Sequence, residues 1–313
     1  MVAITGATGF YGQHIARALL RRGFGLRVLE RREGDVQATQ QVTPVLGTLS
    51  DRNDLDRLLD GVDAVVHCAG LVRGANRHAF HETNVVGTAR LVHAALASPR
   101  RPRFTLISSL AAREPKLSSY AASKRSGEDI VQSLADDMEW LILRPPVIYG
   151  PGDLAMLRLF KLAAAGIMPV PKISPPGTSK IAMVYVSDAA AAVAESVTAA
   201  SPTHTTIEFH DGHADGYDWP VLVNTMSEAL GRQVRSFRVS FRVARALANI
   251  ETAASLCFGR EPIFTPEKTR EMFHANWSVK DNPLSRFTNW APRVTLTEGF
   301  QMTANWYSAQ SQI

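Results

Sequence analysis

Thr5-Gly6-Ala7-Thr8-Gly9-Phe10-Tyr11-Gly12 decides how this chain is read. Its three glycines recur at every third position, between an apolar run from Val2 to Thr5 and an amphipathic segment from Gln13 to Arg22. That order predicts a strand, a tight turn and a helix with Ile15, Ala18 and Leu19 on one face. Glycine at such a turn lets the backbone approach a pyrophosphate and lets the helix pack close to the sheet. The helix start then offers unpaired N–H groups and a positive dipole end to the phosphates. Glycines scattered in turns would mean nothing; their position gives these a mechanism. Gly6, Thr8, Gly9, Phe10, Tyr11 and Gly12 are therefore candidate contacts to a dinucleotide.

Working outward, Leu26 to Leu29 reads as the second strand and Glu30 ends it. An acid there accepts hydrogen bonds from the adenosine ribose hydroxyls and favours NAD. The adjoining Arg31 and Arg32 pull toward the 2′-phosphate of NADP. The cofactor is read as NAD or NADP, with NAD favoured. Further strands are expected at Val42 to Leu46, Ala64 to His67, Phe104 to Ile107 and Leu141 to Leu143. Helices are expected around Leu55 to Leu59, Thr83 to Ala97 and Tyr120 to Leu134. This alternation predicts an α/β fold of Rossmann type, a doubly wound parallel sheet with ligands at the strands' C-terminal ends.

Residues 1–150 are expected to form the dinucleotide-binding domain, with returning segments near 180–210. Residues 151–313 are expected to form mostly a smaller C-terminal substrate lobe. Pro145, Pro146, Pro151, Pro169, Pro171, Pro175 and Pro176 mark the change of texture and argue against regular structure there. Val184 to Val186 and the alanine-rich stretch from Asp188 are expected to return to the sheet.

Tyr120 and Lys124 are four apart in Ser118-Ser119-Tyr120-Ala121-Ala122-Ser123-Lys124 and share a helical face. A tyrosine hydroxyl titrates near 10. A neighbouring ammonium stabilises its phenolate, which suits it to exchange a proton with an alcohol or ketone. Ser108-Ser109 closes the fifth strand, where a serine can hydrogen-bond the reacting oxygen. A Tyr-x-x-x-Lys alone is common; with the serine and the glycine loop it becomes specific.

These residues, with Gly61-Val62-Asp63-Ala64-Val65-Val66-His67, Asn84-Val85-Val86-Gly87-Thr88 and Arg144-Pro145-Pro146-Val147-Ile148-Tyr149-Gly150-Pro151-Gly152, resemble the extended short-chain dehydrogenase/reductase superfamily. The resemblance runs in register from Met1 to about Asp153 and more loosely beyond. It implies Tyr120 as general acid/base, Lys124 as ribose and pKa partner, Ser109 as donor to the substrate oxygen and Asn84 as support. It implies that Ala69 and Gly70 pass close to the dinucleotide and that Pro145 and Val147 border the nicotinamide. It also implies a homodimer through the helices after strands four and five. Relatives often read Gly-Asp-Leu after the third strand; here Gly47-Thr48-Leu49 leaves the adenine contact to the Thr48 hydroxyl beside Leu49, or without a side chain.

Nucleotide-sugar epimerases of this superfamily tend to carry an Asn where this chain has Pro145-Pro146-Val147. They also carry an Arg ahead of a strand that here reads Lys180-Ile181-Ala182-Met183-Val184-Tyr185-Val186-Ser187-Asp188. Both absences favour the 3β-hydroxysteroid dehydrogenase-like and ketone-reductase-like branch. The expected activity is an NAD(P)-dependent interconversion of hydroxyl and keto groups on a hydrophobic or lipid-like small molecule. A nucleotide-sugar epimerase/dehydratase and a non-catalytic dinucleotide-binding subunit remain as alternatives.

Val243, Leu247, Ile250, Ala254 and Cys257 recur at helical spacing. They read first as a core-facing stripe and second as a wall for an apolar substrate. Trp277, Trp290 and Trp306 read as packing residues. The formal net charge of +5 comes largely from arginines, including the pairs Arg21-Arg22 and Arg100-Arg101. These suit solvated helix ends, phosphates or an anionic membrane surface. No basic-aromatic run suggests nucleic acid. Cys68 and Cys257 and nine scattered histidines suggest no metal and a reducing cytoplasm. Val2-Ala3-Ile4 leads straight into the glycine turn, so no leader is expected, nor any transmembrane segment. Peripheral membrane contact stays open.

Overall fold

A computed structural model describes residues 1–74, 76–134, 137–175, 177–198 and 201–313; Pro176 lies outside them. In chain order, β1 (Val2–Thr5), α1 (Phe10–Arg21), β2 (Leu26–Glu30), β3 (Val42–Leu46), α2 (Arg52–Leu59) and β4 (Ala64–His67) come first. Next are α3 (Arg77–His81), a π-helical turn (Glu82–Val86), α4 (Gly87–Ala97), β5 (Arg103–Ile107) and a 3-10 turn (Leu110–Arg113). Then come α5 (Ser119–Leu134), β6 (Trp140–Arg144), β7 (Val147–Tyr149), α6 (Leu154–Ala164), β8 (Ile167–Pro171), β9 (Lys180–Ile181) and β10 (Met183–Tyr185). The chain goes on through α7 (Val186–Ser196), β11 (Thr205–Glu208), α8 (Trp219–Leu230), β12 (Arg235–Val239), α9 (Phe241–Cys257) and α10 (Pro266–Met272). It finishes with β13 (Asn276–Trp277), α11 (Leu284–Phe287) and α12 (Leu296–Ala309).

Seven parallel strands form one sheet in the order β11-β6-β5-β4-β1-β2-β3. Strands buried on both faces read as continuous apolar runs, as Val2–Thr5 and Ala64–His67 do. On one face Ile15 and Leu19 of α1 and Val193 of α7 join the core; on the other Leu55, Leu91 and Val131 of α2, α4 and α5 do. The order reverses between β1 and β4, where Thr5 pairs with His67. A crevice at such a switch point is where doubly wound sheets bind ligands. A third core gathers Tyr149, Phe160, Phe300 and Tyr307 from the C-terminal elements, with rings meeting edge to face.

Four expectations change. The helix expected from Thr83 begins at Arg77, where the Asn76 side chain caps it by accepting the His78 N–H, and the π turn interrupts it. Met183–Tyr185 does not join the main sheet; it pairs with Val147–Tyr149, and Thr205–Glu208 returns to β6 instead. The short β-rich run at Val184 is apolar enough for either partner; the helix α7 that follows it spends the alanine-rich stretch covering α1. The proline-crowded stretch keeps regular structure in part: Pro145, Pro146, Pro151 and Pro175 lie in loops, but Pro169 and Pro171 lie in β8, which among the described residues pairs only with β12, and such an edge tolerates missing N–H donors.

The stripe on α9 is the fourth. Ala244 and Ala248 are its buried residues, and Val243, Leu247 and Ile250 face outward. Hydrophobic spacing shows that a helix has an apolar face, but the partner decides which face is covered. Here α10 lies against α9, with Phe241 edge to face on Phe273.

Candidate active site

The glycine turn is held by close backbone packing. Gly6 sits at φ +76°, and a Cβ there would lie 2.6 Å from the Ala69 nitrogen. A Cβ on Gly12 would stand 1.9 Å from the Gly6 carbonyl oxygen. Gly9 begins α1 with no side chain capping it and no acid in the first turn. A helix start that is uncapped, free of negative charge and backed by backbone on both sides fits a pyrophosphate. Thr8 and Gly9 are exposed at this start. Phe10 leans toward the Gly152 loop, while Tyr11 turns its hydroxyl away to donate to the Ala189 carbonyl at 2.8 Å. Tyr11 therefore offers a ligand only its backbone.

A buried relay fixes this turn against the rest of the site. Thr88 donates its proton to the Asn84 carbonyl at 2.8 Å. It must then accept from His67 Nε2, 3.0 Å away, which leaves His67 Nδ1 to accept from the Thr5 hydroxyl at 2.7 Å. Thr5 Oγ1 accepts in turn from the Ala69 N–H at 3.2 Å. Burial holds His67 down at about 3, so it stays neutral in this role.

Glu30 is buried at the end of β2; one carboxylate oxygen accepts the Val36 N–H at 2.8 Å. Its other oxygen has no partner among the described residues. Arg31 and Arg32 are exposed. Thr48 is exposed as well: its N–H donates to Asp54 at 2.8 Å, and its hydroxyl accepts from Ser50. Leu49 packs over Gly87 at the start of α4.

Across the crevice, β5 ends at Ser108-Ser109. Ser109 caps the 3-10 turn by accepting the Ala111 N–H, and the next amide, Leu110, donates to the Pro145 carbonyl at 2.9 Å. The loops after β5 and β6 are thus tied together, with Val147 exposed beyond. Tyr120 opens α5. Burial pushes its phenol up to about 12, a hydrogen bond with Ser109 pulls the other way, and the Glu271 carboxylate raises it further. One turn on, burial brings the Lys124 ammonium down to about 8; Cys68 and Glu128 oppose that shift. Lys124 Nζ donates to the Ile107 carbonyl at 2.5 Å. A Cβ on the exposed Gly70 would lie 3.6 Å from that nitrogen, so the ammonium sits beside the crevice.

Asn84 is the hub. Its amide donates to the Leu71 carbonyl at 3.0 Å and to Ser123 at 2.8 Å, and its oxygen accepts the Leu71 N–H at 2.7 Å. The π turn brings this side chain to both the Gly70 loop and α5. Ser109, Tyr120, Lys124 and Asn84 are thereby gathered with Ala69 and Gly70 at the C-terminal ends of β4 and β5. Glu30, Thr48 and Leu49 stand apart, past β1 on the other side of the switch point.

Two supports had no separate signal in the sequence. Glu128 is fully buried and held by Arg144 through two bonds of 2.8 and 2.6 Å, with Ser108 donating as well. Glu267 and Glu271 of α10 reach the start of α5. Glu267 accepts the Ser119 N–H at 2.7 Å, Glu271 accepts from the Ser118 hydroxyl, and both favour the positive end of that helix. Serines at a helix start are a common cap signal, but nothing local points to these distant carboxylates.

Residues 2–207 match the model of the NAD dependent epimerase/dehydratase family. A ceramide reductase of Caulobacter vibrioides is 38% identical over 99% of this chain and 95% of its own length. A 2-alkyl-3-oxoalkanoate reductase of Stenotrophomonas maltophilia is 26% identical over 96% and 97%. Among solved structures, MoeE5 in complex with UDP-glucose and NAD superposes with a TM-score of 0.73 at 20% identity, over 99% of each chain, which establishes a common fold. Among the described residues, no helix is long and apolar enough to cross a membrane. A seven-stranded doubly wound sheet, a pyrophosphate-shaped glycine turn and full-length reductase relatives lead to one conclusion: the chain belongs to the NAD dependent epimerase/dehydratase family, in the extended short-chain branch, and is an NAD(P)-dependent oxidoreductase.

Proposed function

We propose that this enzyme reduces a ketone on a hydrophobic, lipid-like substrate to an alcohol, with Tyr120 as the proton donor and NAD(H) favoured over NADP(H). The observation that carries the reading is the convergence of Ser109, Tyr120 and Lys124 beside Gly70 at the ends of β4 and β5. When bound, the reduced nicotinamide supplies the hydride. Ser109 orients the carbonyl oxygen by a hydrogen bond, and Tyr120 gives that oxygen its proton as negative charge develops. A phenol pushed up to about 12 is fully protonated near neutrality, which suits donation. Lys124 stays charged below about 8, stabilises the phenolate left behind and faces the position of a ribose. Asn84 fixes α5 and the Gly70 loop at one spacing. The buried carboxylate of Glu30 repels a 2′-phosphate, and the exposed Arg31 and Arg32 spend their charge in water, which supports NAD.

The substrate class rests on the two full-length relatives, one named a ceramide reductase and the other a 2-alkyl-3-oxoalkanoate reductase. The test is consumption of NADH or NADPH by purified protein given a keto-ceramide, a 2-alkyl-3-oxoalkanoate and UDP-glucose. Stoichiometric oxidation of the cofactor with either lipid supports the proposal. Conversion of the UDP-sugar to an epimer with retained NAD, and none with the lipids, overturns it.

A further inference from the structure

The α9 helix turns its larger side chains outward. Its buried positions are Ala244 and Ala248, while Leu247 is 54% exposed, Ile250 66%, and Phe258, just past the helix, 76%. With Val243 they follow helical spacing and make one continuous apolar stripe. An exposed stripe of this kind on a soluble fold marks a surface that meets something apolar.

The surrounding charge says what. Between Ala229 and Ile250 the chain has five arginines and no acid. Arg242 lies on the exposed side of α9, roughly 100° round from the stripe, and Arg245 roughly 170° round, on the far flank; β12, which leads into the helix through its Ser240 cap, exposes Arg235, Phe237 and Arg238. None of these four arginines meets a carboxylate among the described residues. Glu251, the one acid on α9, is paired with Arg158 at 2.9 Å.

We propose that the exposed face of α9, with β12, docks the enzyme on an anionic lipid bilayer. Leu247, Ile250 and Phe258 enter the boundary of the acyl chains, and the arginines pair with headgroup phosphates. A second copy of the same face would bring arginine against arginine; anionic headgroups satisfy both halves of the pattern. The position is also apt. The helix rests on α10, and α10 holds the start of α5, which carries Tyr120. A lipid carbonyl thus reaches the site from the membrane side, a consequence that rests on the function proposed above; the docking itself does not.

Flotation of the purified protein with vesicles of phosphatidylcholine, alone or mixed with phosphatidylglycerol, tests this. Binding is expected only to the anionic vesicles and is expected to fall with added salt. The double variant Arg235→Gln/Arg242→Gln is expected to bind roughly thirtyfold more weakly. Leu247→Ser is expected to bind about tenfold more weakly while keeping the salt dependence. Unchanged turnover of a short water-soluble ketone shows that the variants fold. Equal binding to neutral vesicles, or unaltered binding by both variants, overturns the proposal. So does a homodimer that Leu247→Ser dissociates while the wild type ignores vesicles. Failure to float with ketone turnover intact removes the docking alone; flotation without cofactor consumption on any ketone removes the chemistry alone.

Discussion

Lys124→Met separates what the lysine does for the reaction from what it costs the fold. Burial brings its ammonium from 10.5 to about 8, a displacement of about 3 kcal/mol against the charged form. The methionine removes that charge but leaves the Ile107 carbonyl without its donor, which returns about 1 kcal/mol. Partial exposure of the side chain reduces the gain further, to a net stabilisation of about 1–2 kcal/mol at neutral pH. The direction with pH follows from proton counting. Between about 8 and 10.5 the unfolded chain binds the proton that the folded chain has lost, so wild-type stability rises across that window. The advantage of the variant is therefore full below about 8 and shrinks toward 10.5. Thermal melts followed by circular dichroism should place Lys124→Met a few degrees higher, about 2–6 °C, near neutrality, with the gap closing in alkali. Ketone reduction should fall at least about a hundredfold. A variant that melts at or below wild type near neutrality, or a gap that widens in alkali, would refute the reasoning.

Tyr120→Phe should reduce turnover by at least about a hundredfold while NADH fluorescence titration shows unchanged binding; retained turnover would remove the tyrosine from the chemistry. Gly12→Ala drives a methyl into the Gly6 carbonyl, so dinucleotide binding should be lost and the melting temperature lowered, by about 1–3 kcal/mol of stability. His67, held at about 3 against an ordinary 6.5, contributes stability above 6.5 that drains as pH falls toward 3. Urea titrations at about pH 5 should show a loss of about 2 kcal/mol that His67→Asn does not share. Glu271→Gln removes a carboxylate that raises the Tyr120 pKa, so the alkaline rise of alcohol oxidation should move to lower pH. An upward move would assign Glu271 a purely structural part.

The glycine turn, the strands from Val2 to His67 and the Tyr120/Lys124 pair were legible because each obeys a local rule: three glycines at a strand-to-helix turn, apolar runs, and spacing of one helical turn. The sequence was silent where a residue's part depends on a distant partner. Nothing near Glu271 announces that it meets Ser118, and nothing near Glu128 announces the guanidinium of Arg144. The π turn was missed for a related reason. Its residues, Glu82 to Val86, carry no local mark of a π turn, and the contacts that the turn allows, Asn84 to both Leu71 and Ser123, lie far away in the sequence. For α9 the periodicity was right and the direction wrong, since period carries no information about which side finds a partner.

The sheet edge at β6 has a consequence for how the protein is made. β6 ends at Arg144, but the strand that covers its flank, β11, begins only at Thr205, and the helix that completes the core beside α1 begins at Val186. A ribosome adding about 5–20 residues per second leaves that edge bare for roughly 3–12 s. Through that interval the nascent chain presents Trp140, Leu141 and Ile142 beside an open ladder of amides and carbonyls, a template for any neighbouring strand. Arg103 later locks the closing segment by donating to the carbonyls of Thr198, Ser201 and Pro202. Nascent chains stalled before Thr205 are thus the ones that need a chaperone, and those released beyond Glu208 carry their own protection.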